Sequence, residues 1–375
     1  MRNRFFTFLS VILLVVFSLT GCGLDGLQDT PRETTQDNTT KEQGSTVPLP
    51  ANSSFSVHFI DVGQADAALV ICDDKAMLID GGNVGDSDLI YSYLKKMNVF
   101  YLDYVVCTHP HEDHVGGLSG ALSYATVGVA YSPVLTYATK AFENFSDKVV
   151  AQGKNLTVPT PGEEFFLGSA KVKILGPLHT DYDETNDLSI VLRIEYGEVS
   201  FLFTGDMERK AEADLLEAGY DLRSTVIKVG HHGSETSSSY AFLREVAPTY
   251  GVISVGVDND YGHPDEDVLS RYRDADVKLY RTDLQGDVIC TCEDGKTLRF
   301  TTAKNSDAIT NPTDKNPSGS GDNGVTDYAY VGNLTSKKYH RTTCGSLPAE
   351  DNRIYFTTKE EAENAGYLPC GNCDP

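Results

Sequence analysis

Four side chains able to bind a metal, His109, His111, Asp113 and His114, fall within six residues of one another in the run Thr108-His109-Pro110-His111-Glu112-Asp113-His114-Val115-Gly116-Gly117. The apolar segment Tyr104-Val105-Val106-Cys107 before them reads as a strand. Strand side chains alternate between faces, so His109 and His111 point the same way. The turn into Gly116-Gly117 then lets Asp113 and His114 face a second centre. Unpaired imidazoles and a carboxylate buried together would be costly. A divalent cation, or a pair, is the natural neutraliser. The competing reading is a polar loop with scattered histidines.

The other candidate ligands also fall where strands end. Phe201-Leu202-Phe203-Thr204-Gly205-Asp206 ends in a carboxylate, Val226-Ile227-Lys228-Val229-Gly230-His231-His232-Gly233-Ser234 in two imidazoles, and Ile60-Asp61-Val62-Gly63-Gln64-Ala65-Asp66 closes the first strand. Of nine histidines, 109, 111, 114, 179, 231, 232 and 263 lie in or near such loops; His340 is in the tail, and His58, mid-strand, is a packing or surface residue.

Between residues 54 and 302 strands alternate with helices. Strand patterns cover 55–60, 68–72, 104–108, 172–175, 189–195, 199–204, 226–229, 252–255 and 298–301; helical patterns cover 89–97, 140–152, 208–218, 239–246 and 266–273. Residues 188–195 and 198–204, joined by Tyr196-Gly197, form a hairpin. Mixed sheets covered by outer helices are the expected layered solution.

The chain has 375 residues, enough for one large domain and a small one. Arg2 and Arg4, an apolar run to Leu19, and Leu19-Thr20-Gly21-Cys22 read as an export signal over residues 1–22. Its ending resembles a bacterial lipoprotein box, which implies lipidation of Cys22 and a protein anchored on the extracellular face of the bacterial membrane; ordinary secretion is the alternative. Residues 23–53, polar and Thr/Gln-rich, form a solvated tether, and 303–326 a flexible linker to a second unit at 327–375. With 54 acidic against 31 basic residues the net charge is −23. That argues against tight duplex-DNA binding but not against a metal site holding one phosphate. Cys72, Cys107, Cys290 and Cys292 are scattered with no disulfide framework. Cys290 and Cys292 share a strand face and suit core packing.

This order of motifs resembles the metallo-β-lactamase superfamily, and within it the extracellular hydrolase domain of ComEC-type competence proteins. The matching residues are Phe59-Ile60-Asp61-Val62-Gly63-Gln64-Ala65-Asp66, Asn186-Asp187-Leu188-Ser189-Ile190-Val191-Leu192, Thr204-Gly205-Asp206, His231-His232-Gly233-Ser234 and Tyr261-Gly262-His263-Pro264. The resemblance spans nearly all of 54–302 and implies an α/β fold, the αββα sandwich, with its metals along one edge. Carried over, His109 and His111 bind one metal. Asp113 and His114 bind the second with a histidine of the 231–232 pair, and Asp206 bridges. His231, directly after its strand, is favoured; His232 is the rival, or contacts substrate. Asp61 is expected to orient a ligand imidazole; a plain turn carboxylate is the alternative. Where many members place a third histidine on the first metal, this chain has Asn186, leaving one metal or two open; His179 could substitute.

Two divalent cations, Zn or Mn, would supply an activated hydroxide and stabilise charge on the attacked group. Asp113 counts in the catalytic set, and His263 is the candidate for protonating the leaving oxygen or gripping the phosphate, against a structural loop role. Asn186, His232 and Ser234 are the candidate substrate contacts. The 233–238 loop could receive an anion, although helix capping accounts for its serines equally.

In the last unit, His340, Cys344, Cys370 and Cys373 form a closed tetrahedral zinc set, and so small a unit needs a staple. It resembles the zinc-binding module of Ada-type repair proteins, with His340 replacing one of four cysteines; a Cys370–Cys373 disulfide is the alternative. Three functions compete. The favoured one is a cell-surface phosphodiesterase or nuclease acting on a small or polymeric phosphodiester such as single-stranded DNA. The others are an envelope esterase, for a teichoic-acid phosphocholine ester or a lactone, and a non-catalytic binding lipoprotein. Membrane channel and DNA import are not carried over, and the motifs do not suit a β-lactam hydrolase.

Overall fold

The computed structural model describes residues 49–50, 52–312, 330–333, 336–342, 344–348, 353–356, 358–371 and 373. Cys22, the export segment and nearly all of the tether lie outside the described residues. Among the described residues no helix is long and apolar enough to cross a membrane.

Two sheets face each other. The first is built from β1 (Phe55–Phe59), β2 (Ala68–Cys72), β3 (Lys75–Ile79), β4 (Tyr101–Val106), β5 (Thr126–Tyr131) and β6 (Leu156–Thr157). The second contains β7 (Glu164–Leu167), β8 (Ala170–Gly176), β9 (Val191–Tyr196), β10 (Val199–Phe203), β11 (Val226–Lys228), β12 (Tyr250–Ile253) and β13 (Lys278–Arg281). The chain then returns to the first sheet as β14 (Val288–Cys292) and β15 (Arg299–Thr302). Strand order is β15-β14-β1-β2-β3-β4-β5-β6 in one and β13-β12-β11-β10-β9-β8-β7 in the other.

Each sheet is antiparallel at one side and parallel at the other. Parallel neighbours need a crossover, and the helices supply it: α1 (Ser87–Lys96) leads from β3 to β4. The short α2 (Glu112–Val115) and α3 (Leu118–Tyr124) lead to β5, and α4 (Lys140–Ala151) to β6. On the second sheet α5 (Arg209–Ala218), α6 (Tyr240–Val246) and α7 (Glu266–Asp274) join β10 through β13, before the single turn α8 (Thr282–Gln285). The carboxyl ends of β3, β4, β10, β11 and β12 emerge at one rim, where open α/β sheets hold ligands.

Between the sheets, Phe55 stacks on Tyr196 with centroids 4.9 Å apart and Phe59 on Phe203 at 5.8 Å. Cys290 and Cys292 are buried in this inner core, as their spacing suggested, and Cys72 is buried with them. The outer faces bury helix stripes at i, i+3, i+4 spacing, Phe142, Phe145 and Val149 on α4 and Val268, Leu269 and Tyr272 on α7. This is the four-layered sandwich the motif order implied. One expectation fails: the linker is not free from residue 303. Arg273 bonds Asn311 Oδ1 and the Pro312 carbonyl, and Thr310 Oγ1 bonds the Leu279 carbonyl, pinning the chain to α7 and β13 as far as residue 312.

The C-terminal unit is a four-stranded sheet in the order β18-β16-β17-β19 (Arg353–Phe356, Tyr330–Asn333, Lys338–Arg341, Leu368–Pro369). The helix α9 (Lys359–Asn364) is capped by Thr358, whose hydroxyl accepts from Glu361 N–H at 3.1 Å. Tyr339, Phe356, Ala362 and Tyr367 are its entire buried apolar cluster among the described residues.

Candidate metal centre

Strand ends at the rim turn sharply. Asp80 after β3, Gly205 after β10, and His231 and His232 after β11 all adopt left-handed backbone, with φ of 58°, 52°, 49° and 52°. For three non-glycine residues that is strained, and the turns at Gly205 and His231 bring the following Asp206 and His232 side chains together. The Gly116-Gly117 pair is required for a different reason. A Cβ at Gly117 would lie 1.9 Å from the Gly81 carbonyl oxygen, so only glycine lets α2 and α3 press against the β3 loop.

Asp206 sits in the middle. Its Oδ2 lies 3.2 Å from His114 Nε2, 3.4 Å from His232 Nε2, 3.8 Å from His231 Nε2 and 4.0 Å from His109 Nε2. His109 Nε2 is in turn 3.0 Å from His111 Nδ1, and Asp113 Oδ2 is 3.3 Å from His232 Nε2. Asp113, His114, Asp206 and His232 present ligand atoms within 4.8 Å of one another. The sequence favoured His231 in this set; the structure brings in His232 instead. With both residues left-handed, strand alternation fails, and the second imidazole turns inward. His231 points its Nδ1 outward to Glu208 Oε1 and Thr236 Oγ1, each at 3.2 Å.

The donor set fits a cation. His114 Nε2, His232 Nε2 and Asp206 Oδ1 are buried and make no hydrogen bond in the protein, an arrangement too costly to leave uncompensated. The opposite ring nitrogens are fixed: His114 Nδ1 is 2.8 Å from Asp80 Oδ2, and His232 Nδ1 donates to the Ser254 carbonyl at 2.9 Å. These partners hold the Nε2 lone pairs on the cluster. Burial would push the Asp206 carboxyl up, but the His114 and His232 imidazoles hold it well below the carboxylate range. Burial would lower the His114 imidazole, yet Asp206, Asp113 and Asp80 raise it well above the ordinary value. Protons and a metal therefore compete for the same nitrogens. His109, by contrast, is held well below by burial and by the neighbouring His114, and so stays a free ligand at neutral pH.

Several expected roles are displaced. Asp61 orients no imidazole: its N–H bonds Asp287, its Oδ1 accepts from Gly63 N–H, and its Oδ2 lies 3.7 Å from Lys304 Nζ. The carboxylate behind His114 is Asp80, unmarked by the motifs although Met77-Leu78-Ile79-Asp80-Gly81-Gly82 has the same strand-then-Asp-and-glycine form as the Asp206 segment. Ser234 is not presented to an anion: its hydroxyl is buried against Thr236 Oγ1 at 3.0 Å. The N–H groups of Ser238 and Ser239 are taken by the Glu212 carboxylate, and Ser239 caps α6. His179 is exposed, 3.9 Å from Asp214, and takes no part. Asn186 donates to Glu208 Oε1 at 3.0 Å beside His231, with its own Oδ1 buried and unpaired. His263 borders His231, ring centroids 5.7 Å apart, and is flanked by the exposed Tyr261. Burial, then the His231 charge, lowers its imidazole, favouring the neutral form.

In the tail, His340, Cys344, Cys370 and Cys373 converge within 4.8 Å, with His340 Nδ1 3.3 Å from Cys344 Sγ. All three tail thiols are free of disulfides.

A sandwich of this topology with an Asp/His cluster at its rim defines a metal-dependent hydrolase class, and the chain belongs to the metallo-β-lactamase superfamily, whose model matches residues 60–257. Residues 320–375 match the metal binding domain of Ada. Among individual proteins, the chain is similar to ComE operon protein 3 of Bacillus subtilis (strain 168), 27% identical over 256 residues that make up 63% of this chain and 33% of that protein. It is also similar to Competence protein ComA of Neisseria gonorrhoeae, 33% identical over 240 residues, 64% of this chain and 32% of that one. The chain thus spans about a third of the length of these relatives. A solved structure of the metallo-β-lactamase fold protein YhfI from Bacillus subtilis aligns with a TM-score of 0.41 at 13% identity, covering 66% of this chain and 100% of that one.

Proposed function

We propose that the protein is a phosphodiesterase or nuclease, lipid-anchored through Cys22 on the outer face of the cell membrane. The observation that carries the catalytic part is the convergence of Asp113, His114, Asp206 and His232, the last three with buried, unpartnered ligand atoms, next to the His109–His111 pair. His109 and His111 would hold one divalent cation, Zn or Mn, and Asp113, His114 and His232 a second, with Asp206 between them. Such a pair supplies Lewis acidity to phosphoryl oxygens and makes water acidic enough to yield a nucleophile at neutral pH.

The chain's own groups do the rest. Asp80 and the Ser254 carbonyl fix the two imidazoles, and the facing sheets exclude water from their inner side. His231 and His263, at the mouth, offer hydrogen-bonding groups to a phosphate, while the Asn186 amide is engaged by Glu208. His263, held neutral, suits gripping better than storing a proton. Similarity to competence proteins supports a polynucleotide substrate such as single-stranded DNA. The net charge of −23 favours short or single-stranded phosphodiesters and keeps an envelope phosphocholine ester as the second reading. The test is turnover of the purified protein with Mn²⁺ or Zn²⁺ on single-stranded DNA, bis(p-nitrophenyl) phosphate, a phosphocholine ester and a lactone. Cleavage of the first two supports the proposal; cleavage of the lactone alone would replace it.

A further inference from the structure

β11 is only three residues long, buried throughout, and its last residue is a lysine. Val226 packs in the intersheet core and Ile227 against the outer helices. Alternation therefore sends Lys228 inward, to the end of the core directly beneath the metal centre. Its side chain is 4% exposed, and an ammonium at that depth is costly unless paired. Nζ donates to Asp66 Oδ2 at 2.6 Å and to the Val229 carbonyl at 2.8 Å. Asp66 comes from the loop between β1 and β2, so the pair ties one sheet to the other below the ligands.

Two observations say that this floor is built for a cation. Asp66, Asp80 and His114 present ligand atoms within 4.8 Å of one another; Asp80 Oδ2 and His114 Nδ1 are bonded to each other at 2.8 Å, which leaves Asp66 as the open carboxylate of the three. Asp66 Oδ1, 3.3 Å from His232 Nδ1, is buried without a hydrogen bond. A cavity of about 10 Å³ bounded by Asp66, Asp80, Thr108, Lys228 and Ser254 adjoins the cluster, room for one water-sized occupant.

We infer that Lys228 is a built-in cation: its ammonium stands in for a metal ion at the Asp66 carboxylate and confines exogenous divalent cations to the rim above. This rests on the reading of the rim as a metal centre. It also sets the charge of the loaded site. Asp66, Asp80, Asp113 and Asp206 bring four negative charges, of which Lys228 cancels one. With the cations bound, the site is one charge more positive than it would be without the ammonium, which favours a phosphodiester anion. Lys228 is thus a positioning residue that tunes both cation number and anion preference.

The experiment counts cations. Wild type, Lys228→Met and Lys228→Met/Asp66→Asn, each as the full chain, are loaded with Co²⁺, dialysed and analysed by mass spectrometry of the metals, with the tail site as internal reference. Lys228→Met is expected to retain one cation more than wild type, and the double variant to lose that surplus. Equal counts in wild type and Lys228→Met would overturn the inference and leave the hydrolase reading standing. A wild type retaining nothing beyond the tail site would remove both. Should Lys228→Met not fold, Asp66→Asn alone decides. Releasing the ammonium from its carboxylate is expected to weaken Co²⁺ binding, followed by its d–d absorption, at least tenfold, and unchanged binding would overturn the inference.

Discussion

The rim and tail metal-ligand clusters of this molecule are built in opposite ways. At the rim of the sandwich, ligands from position 109 to position 232 are delivered by strands whose inner and outer faces are already filled with apolar side chains. In the tail, four ligands within 34 residues accompany an apolar cluster of only four buried side chains among the described residues. The sandwich makes its site, whereas in the tail the site makes the fold. Small domains lack the burial to order themselves, and a bound metal supplies it.

The largest expected separation comes from the rim. Asp206→Ala removes the group that four imidazoles approach, and turnover should fall at least ~10³-fold, the worth of several kcal/mol of charge stabilisation. The melting of the sandwich should stay nearly where it was, because no apolar packing changes; a collapse of the sandwich in calorimetry would break the contrast. The reverse applies to the tail. Cys370→Ser, or chelation, should abolish amide hydrogen-exchange protection over residues 330–371 while β1 to β15 stay protected. A tail that keeps its protection without metal would show that Tyr339, Phe356, Ala362 and Tyr367 suffice.

A smaller effect sharpens the picture of the rim. Asp80→Asn leaves all the rim ligands in place but weakens the hold on His114 Nδ1, and cation affinity measured by competition titration should fall 10- to 100-fold. Asp61→Asn, which touches no ligand, should leave affinity unchanged.

How far the sequence revealed this depended on local grammar. Long helices with clear apolar spacing, such as α4 and α7, were legible nearly to the residue. So were His109 to His114, because imidazoles and carboxylates crowded behind an apolar strand rarely serve anything but a metal. β3 and β5 were not. β3 begins with Lys75 directly after a two-residue turn, and β5 is interrupted by Gly128, where a Cβ would lie 2.6 Å from the Asp103 carbonyl oxygen of the neighbouring strand. With β3 unseen, Asp80 lost its place at a strand end, and its role passed to Asp61. His231 was preferred to His232 because alternation presumes extended backbone, and the left-handed turn at both residues is invisible in residue types. Lys228 sits within the His231-His232 strand segment, but its residue type carries no signal of burial.

The smallest prediction concerns His58, an imidazole the metal centre does not use. It is buried, with Nδ1 2.9 Å from Tyr93 Oη and Nε2 3.1 Å from Ser56 Oγ. Burial lowers its affinity for a proton, partly offset by Asp287 and reinforced by Lys96. The unfolded chain titrates near 6.5, so the folded state keeps its full stability above that value and loses it as pH falls towards the depressed folded value. His58→Gln should flatten the loss of sandwich stability as pH falls below neutral. An unchanged slope in urea titrations would assign the acid sensitivity elsewhere.

The most direct test is an anomalous difference map from crystals of the full chain grown with Mn²⁺ or Zn²⁺. Peaks within coordination distance of Asp206 Oδ2, His114 Nε2 and His232 Nε2, with a neighbour at His109 and His111, are the predicted result. Anomalous density confined to the Cys344, Cys370 and Cys373 thiolates, with none at the rim of the sandwich, would contradict it.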